Sequence, residues 1–348
     1  MVLKVGLIGY GYAGKTFHAP LIAAVPSLAL AAVASSDAAK VHADWPGLPV
    51  HADPFALVAR DDIDLVVIAT PNDSHHPLAS AALRAGRHVV VDKPFTVTLG
   101  EARELRDLAQ RLGRVLSVFH NRRWDGDFLT VQRLLRDGAL GRVVEMESRF
   151  DRFRPEVKAR WREGAGPGSG LWYDLGPHLV DQALRLFGPP QGLLLDRAPL
   201  REGAVADDWF RATLRYERLR VLLHAGTLVA TGPRFVLHGT RGSFTKDGLD
   251  TQEDALRLGV RPHWPAGPGW GADPGPAALV APAADGLLAR ADVALEPGDY
   301  MAYYAALADA IRGDGANPVP ADEAIEVMAL IEAGIESDRG RRELGLPR

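Results

Sequence analysis

Gly9-Tyr10-Gly11-Tyr12-Ala13-Gly14 follows directly on the apolar run Val2-Leu3-Lys4-Val5-Gly6-Leu7-Ile8. A strand feeding a G-x-G-x-x-G turn and then a helix is the fingerprint of a dinucleotide-binding βαβ unit. Each glycine has its own task in such a turn. Gly9 makes the tight bend, Gly11 lets backbone approach a diphosphate, and Gly14 lets the next helix pack closely on the strand. The N–H groups at the helix start then face an anion. Glycine is common here, 36 of 348 residues, so the weight lies in the context. Helix-like residues Phe17, Ala19, Leu21, Ile22 and Val25 follow, and then a second strand from Leu28 to Val33.

The alternation continues. Leu65-Val66-Val67-Ile68-Ala69 has the pattern of a strand buried on both faces. Leu78 to Leu83 is helical in character, His88 to Val91 is a strand, Glu101 to Leu112 an amphipathic helix stopped by Gly113, and Val115 to Phe119 a further strand. This rhythm predicts an α/β fold over residues 1–120, a doubly wound parallel sheet of the Rossmann type with right-handed crossovers. Beyond residue 121 it changes. A helix from Phe128 to Arg136 and a strand from Val143 to Phe150 are followed, between 192 and 245, by strand-like runs without intervening helices. Successive strands of this kind predict a second, α+β domain over 121–348 with a mostly antiparallel sheet. The Pro-, Gly- and Trp-rich stretch 262–276 reads as an irregular loop, and helices over Tyr300 to Arg312 and Ala321 to Ser337 close the chain. Two domains also suit a length that exceeds what one core usually serves.

Charge and composition narrow the partners. A net charge of −4 with dispersed basic residues argues against nucleic acid or an anionic membrane. The absence of cysteine removes disulfides, thiolate zinc sites and cysteine nucleophiles together. No apolar run approaches the ~20 residues of a membrane span, and the N-terminus lacks the pattern of a signal peptide, so a cytoplasmic protein is expected.

The chemistry-bearing residues fall at strand ends. After the second strand come Ser35, Ser36 and Asp37, with Lys40 close by. A carboxylate at this address accepts the ribose hydroxyls of NAD, whereas hydroxyls and an ammonium suit a 2′-phosphate. Ser35 at the aligned position, with Ser36 and Lys40 beside it, favours NADP. Shifting the alignment to Asp37 would restore an NAD site, and Asp37 also reads as the cap of the next short helix. Thr70, Asn72 and His75 follow the fourth strand, and Asp92-Lys93-Pro94 ends the fifth, all at the carboxyl edge where open α/β sheets bind ligands. Farther on, Asp174 and His178 are four apart, so on a helix they share a face. An Asp beside a His can orient the ring and stabilise its charged form, as a general base requires. The ordinary alternative makes Asp174 an N-cap and His178 a satisfied helix residue. The glycine-rich stretch 164–170 just before is a lid or a linker.

These pieces together resemble the Gfo/Idh/MocA family, the glucose-fructose oxidoreductase and inositol dehydrogenase group. The match rests on Gly9 to Gly14, on Ala69-Thr70-Pro71-Asn72 with His75, on Ala85 through Pro94, and on Asp174 with His178. Where the family usually has Glu-Lys-Pro, this chain has the shorter acid Asp92 before Lys93-Pro94. The chain is more closely similar to NADP-dependent scyllo-inositol dehydrogenases, over Phe119 to Asp125, Arg154 to Glu163, Tyr173 to His178, and Asp250 to Arg257. The resemblance implies a dehydrogenase acting on the CH–OH group of a polyol or sugar, with no metal. It implies that His178 takes the hydroxyl proton, Lys93 binds the reacting oxygen, and Asp174 binds a neighbouring hydroxyl and holds His178. It places Gly9, Gly11, Tyr12, Ala13, Ser35, Ser36, Thr70, Asn72 and His75 along the cofactor cleft, and Asn121 and Arg122 near nicotinamide and substrate. It also implies an open face on the second sheet that packs against another subunit, giving a homodimer or homotetramer. The same fold using NAD on another sugar, or serving as a non-catalytic dinucleotide-binding regulator, are the alternatives. Such regulators tend to lose the lysine or the histidine, and this chain has both.

Overall fold

Along the first 124 residues six short parallel strands alternate with helices, and a computed structural model of the chain describes residues 2–346. The elements are β1 (Leu3–Ile8), α1 (Ala19–Ala24), β2 (Leu28–Ala34), α2 (Ala38–Asp44), β3 (Val50–His51), α3 (Pro54–Val58), β4 (Leu65–Ile68), α4 (His75–Arg84), β5 (His88–Val91), α5 (Leu99–Leu112) and β6 (Leu116–Val118). The strand order is β3-β2-β1-β4-β5-β6, all parallel. Chain direction across the sheet therefore reverses between β1 and β4, the switch point at which such sheets take ligands. Val66, Val67, Val89 and Val90 are fully buried, as strands covered on both faces require. Local signals fix the helix limits: Thr98 and Glu101 form a reciprocal capping box at the start of α5, and Gly113 ends it at φ 61°.

The remaining elements are α6 (Gly126–Arg136), β7 (Val143–Arg149), α7 (Leu171–Phe187), β8 (Gly192–Ala198), β9 (Trp209–Arg215), β10 (Arg220–Gly226), β11 (Pro233–Gly239), β12 (Ser243–Asp247), α8 (Gln252–Arg257), β13 (Ala277–Pro282), β14 (Leu288–Asp292), α9 (Met301–Arg312), α10 (Ala321–Gly340) and β15 (Leu344–Gly345). Nine strands form one sheet in the order β14-β13-β12-β11-β7-β10-β9-β8-β15, antiparallel except where β10 lies parallel to β7. One face carries the core. Phe210, Ala212 and Leu214 of β9 and Val221 and Leu223 of β10 are fully buried with Trp172, Leu179 and Val180 of α7. The opposite face presents Glu145, Glu147, Arg149 and Arg211.

The chain divides into two compact units. The first comprises 1–124 with 251–270 and 299–325; the second comprises 125–250, 271–298 and 326–348. The first unit thus takes in α8 and α9, which arrive from late in the sequence. No helix among the described residues is long and apolar enough to cross a membrane.

Candidate active site

The glycine turn after β1 is shaped by backbone crowding. Gly9 has φ +97°, and a Cβ there would stand 2.4 Å from the Ala69 carbonyl oxygen at the end of β4. A Cβ at Gly14 would stand 2.0 Å from the Gly9 carbonyl oxygen, so the helix start lies directly against the turn. Gly11 is different: a Cβ there meets nothing within 4 Å. The backbone at Gly11 faces open space, the cradle a diphosphate needs. Tyr12 and Ala13 begin a helical stretch that runs through a wide, π-type turn at Gly14–His18 into α1.

A cleft of about 370 Å³ opens here, lined by Gly9, Gly11, Ser35, Ser36, Asp37, Lys40 and Thr70 among others. Asp37 turns its carboxylate to the start of α2, where Oδ1 accepts the Lys40 N–H at 2.9 Å. It is the N-cap that its position suggests. Ser35 Oγ in turn accepts the Asp37 N–H at 3.1 Å. The same hydroxyl donates to Asp37 O at 3.3 Å, so the rim gathers Ser35, Ser36 and Lys40 beside a carboxylate that caps α2.

The ends of β4 and β5 are tied by a histidine. His75 is fully buried, its Nε2 3.0 Å from Thr70 O and its Nδ1 2.9 Å from Pro94 O. Burial drives its pKa down, against the pull of Asp92 and the two carbonyls. Asn72 is buried in the short turn Asn72–Ser74 that precedes α4. Asp92, at the end of β5, accepts the Lys93 N–H on Oδ1 at 2.8 Å. Its Oδ2 lies 3.7 Å from Nε2 of fully buried His18, too long for a hydrogen bond. His18 Nδ1 is 2.6 Å from the Tyr304 hydroxyl. Burial works to raise the Asp92 carboxyl, but His18, Lys93 and His75 outweigh it and hold it at about 2. Lys93 thus follows an ionised carboxylate seated on a buried imidazole. Nothing in the spacing of His18, Asp92 and Tyr304 announces this cluster.

After β6 the chain turns through Asn121–Trp124, with Asn121 and Arg122 both buried. The Arg122 guanidinium donates to Glu253 of α8 and, at 2.8 Å, to the Tyr300 hydroxyl.

In the second unit Asp174 and His178 lie on α7, one turn apart on one face. Gly170, at φ 92°, is the N-cap, and Leu171 begins the helix. Asp174 is therefore four residues inside α7, and the N-cap alternative for it does not hold. The capping carboxylate comes from elsewhere: Asp207 Oδ2 accepts the Trp172 N–H at 2.7 Å. A Cβ at Gly170 would collide with Asp207 at 2.2 Å, which explains one glycine of the 164–170 stretch by packing rather than by mobility. His178 is 5% exposed, with the Phe150 ring stacked at 6.5 Å and 19°. Arg162 brings Nε to 3.4 Å from Asp174 Oδ1 and lies over the Trp161 ring at 4.6 Å. The segment bearing both is anchored by buried Arg201, which donates to Glu156 O at 2.8 Å and pairs with Glu163 at 3.1 Å and Asp208 at 2.8 Å. Arg162 lies in the stretch Arg154 to Glu163 that carries part of the resemblance, whereas Arg201 has no signature in sequence.

Residues 3–120 match the oxidoreductase-family NAD-binding Rossmann fold of the Gfo/Idh/MocA group, and residues 132–346 its C-terminal alpha/beta domain. The chain is 56% identical to the uncharacterised oxidoreductase YdgJ of Escherichia coli, over 99% of both chains. It is 38% identical to a Bacillus subtilis protein named scyllo-inositol 2-dehydrogenase (NADP(+)), covering 99% of this chain and 96% of that one. Among solved structures, a protein of Yersinia pestis superposes with a TM-score of 0.94 at 53% identity, covering 100% of this chain and 98% of that one.

Proposed function

The chain belongs to the Gfo/Idh/MocA oxidoreductase family, its first unit an NAD(P)-binding Rossmann fold, and from that premise we propose that it is an NADP-dependent dehydrogenase of a polyol or sugar CH–OH group, with scyllo-inositol or a related cyclitol as substrate. The observation that carries the cofactor choice is the cleft rim, where Ser35, Ser36 and Lys40 gather and Asp37 spends a carboxylate oxygen on the α2 cap. Hydroxyls and an ammonium complement a 2′-phosphate. The name of the Bacillus subtilis relative supports the same cofactor and the cyclitol class.

When bound, the dinucleotide supplies the acceptor for the hydride that leaves the substrate carbon. His178 takes the proton from the hydroxyl on that carbon, and the O–H electron pair becomes the second bond of the carbonyl. General-base assistance of this kind is worth ~10²–10⁴ in rate. The Lys93 ammonium donates to the reacting oxygen and stabilises its developing charge. Asp174 accepts a neighbouring hydroxyl of the substrate and keeps His178 oriented, while Asn121 and Arg122 border the nicotinamide end. The open face of the nine-stranded sheet, with Glu145, Glu147 and Arg211, packs against a second copy to give a dimer or tetramer, which light scattering on the purified chain tests directly.

The deciding experiment is the initial rate of nicotinamide reduction with scyllo-inositol, run in parallel with NADP and NAD. Turnover with NADP is expected. Turnover with NAD alone would move the ribose contact to Asp37. Tight NADP binding with no turnover on any polyol would favour a regulator. Lys93→Ala should lose most turnover and still bind the dinucleotide.

A further inference from the structure

Within the first unit, five side chains from four separate stretches of sequence close a ring of contacts beside the glycine turn. The Tyr12 hydroxyl donates to Glu253 Oε1 at 2.6 Å. Glu253 also accepts from Arg122, and Arg122 donates to the Tyr300 hydroxyl. The Tyr300 ring packs on Phe17 at 6.1 Å, and Phe17 meets the edge of Tyr12 at 6.0 Å. Tyr12 and Phe17 belong to the turn and the helical stretch it opens; Glu253 comes from α8, 241 residues away from Tyr12. The segment 251–270 is fastened on both sides of that contact. Gln252 Nε2 donates to Trp124 O at 3.1 Å and Gln252 Oε1 accepts the Tyr300 N–H at 2.7 Å. Farther along, Arg261 lies over the Trp45 ring at 4.4 Å, and the Trp264 N–H donates to Ala24 O at 3.0 Å.

We propose that Glu253 is a positioning residue for the dinucleotide: α8 is a strap that holds Tyr12, and through it the end of the glycine turn, in the geometry that receives the diphosphate. Tyr12 is 51% exposed and stands next to Gly11, whose own side is open. A half-exposed ring at the mouth of a cleft has many rotamers, and each one frozen on binding lowers affinity. The phenol's bond to Glu253 freezes it beforehand. The Arg122 guanidinium balances the Glu253 charge, so a carboxylate can serve here without repelling a diphosphate. This inference rests on the dinucleotide reading of the first unit.

The test is an equilibrium titration of the full chain with NADPH and with NADH, read by nicotinamide fluorescence, for wild type, Tyr12→Phe, Glu253→Ala and the double variant. Tyr12→Phe should weaken binding about threefold and Glu253→Ala about tenfold, the range set by immobilising one or two side chains. The double variant should bind no worse than Glu253→Ala, because both act through one contact. In turnover the loss should fall on the dinucleotide KM rather than on kcat, which a merely structural role would not select. Tyr12→Phe removes one exposed oxygen and folds whatever happens to Glu253→Ala, so it keeps the test open if breaking the Arg122 pair costs folding. Unchanged affinity in Tyr12→Phe, tighter binding in Glu253→Ala, or losses that multiply in the double variant would each overturn the strap. Absence of binding by the wild type would overturn the dinucleotide reading itself, and the strap with it.

Discussion

Replacing Asp92 by Asn should destabilise the first unit by about 2–3 kcal/mol at pH 7, with a pH dependence that identifies the cause. Asp92 is 7% exposed, and its neighbours hold the carboxyl at about 2 instead of 3.8. At about 1.4 kcal/mol for each tenfold change in proton affinity, that depression corresponds to the stated range. An amide keeps an oxygen for the Lys93 N–H but brings no negative charge to a site whose neighbours hold the carboxylate ionised. The sign follows from linkage. A carboxyl whose folded pKa is depressed contributes stability that is fully present above its unfolded value, near 4, and is lost as pH falls through about 2. His75, whose folded pKa is also lowered, removes stability in a different window. Its contribution is complete above the unfolded histidine value, near 6.5, and fades as pH falls below it.

The assay is urea unfolding of wild type and Asp92→Asn at pH 7, 5 and 3.5, following the transition of the first unit. The difference between the two proteins should be the same at pH 7 and 5 and shrink at pH 3.5. Both proteins should lose stability together between pH 7 and 5, because both retain His75. A difference below about 0.5 kcal/mol at pH 7, within the range of an ordinary surface change, would refute the claim that this carboxylate is held ionised by its buried neighbours. So would a difference that persists undiminished at pH 3.5. Asp92→Glu adds length across the 3.7 Å gap to His18 and should cost less than Asp92→Asn.

Two alanine substitutions in the glycine turn should separate binding from folding. At Gly11 the new methyl enters open space, so thermal stability should move by less than about 1 kcal/mol while NADPH affinity falls at least about tenfold. At Gly14 the methyl would stand 2.0 Å from the Gly9 carbonyl, so thermal unfolding should show a loss of about 1–3 kcal/mol or more. In the second unit, Asp127 lies 3.3 Å from Arg234 with side-chain exposures of 0% and 1%. Asp127→Ala should cost about 3–5 kcal/mol in denaturant unfolding, because it removes a carboxylate from beside a buried guanidinium, and adding Arg234→Met should recover part of it.

What could be read from the sequence is what the backbone itself demands. A strand buried on both faces shows as a β-branched run, and a turn that must reach φ +97° at Gly9 shows as a glycine, so β1, β4 and β5 and the turn between β1 and α1 are visible without the fold. Strand ends are likewise visible, which is why Ser35, Thr70 and Lys93 could be placed at the carboxyl edge from spacing alone. Two-residue β3 is too short to carry a period, and β14 is exposed along its whole length, so neither has a pattern to detect. The partners of the charged groups are illegible for a different reason. Asp92 meets His18, Arg122 meets Glu253 and Asp174 meets Arg162 because strands and helices bring them together. Nothing local in the chain records those pairings. Asp37 marks the boundary between the two kinds of information. Its position was compatible with a ribose contact or a helix cap, and a short polar residue serves both equally well in sequence. The fold shows the cap, Oδ1 accepting the Lys40 N–H at 2.9 Å, which sequence alone does not tell apart from the other role. The proposed catalytic residues share that limit. Lys93 and the pair Asp174–His178 have addresses that sequence supplies, whereas the contacts beside them, Asp92 with His18 and Asp174 with Arg162, come from the fold. Substitutions at His18 and Arg162 therefore probe surroundings of the proposed catalytic residues that no motif records.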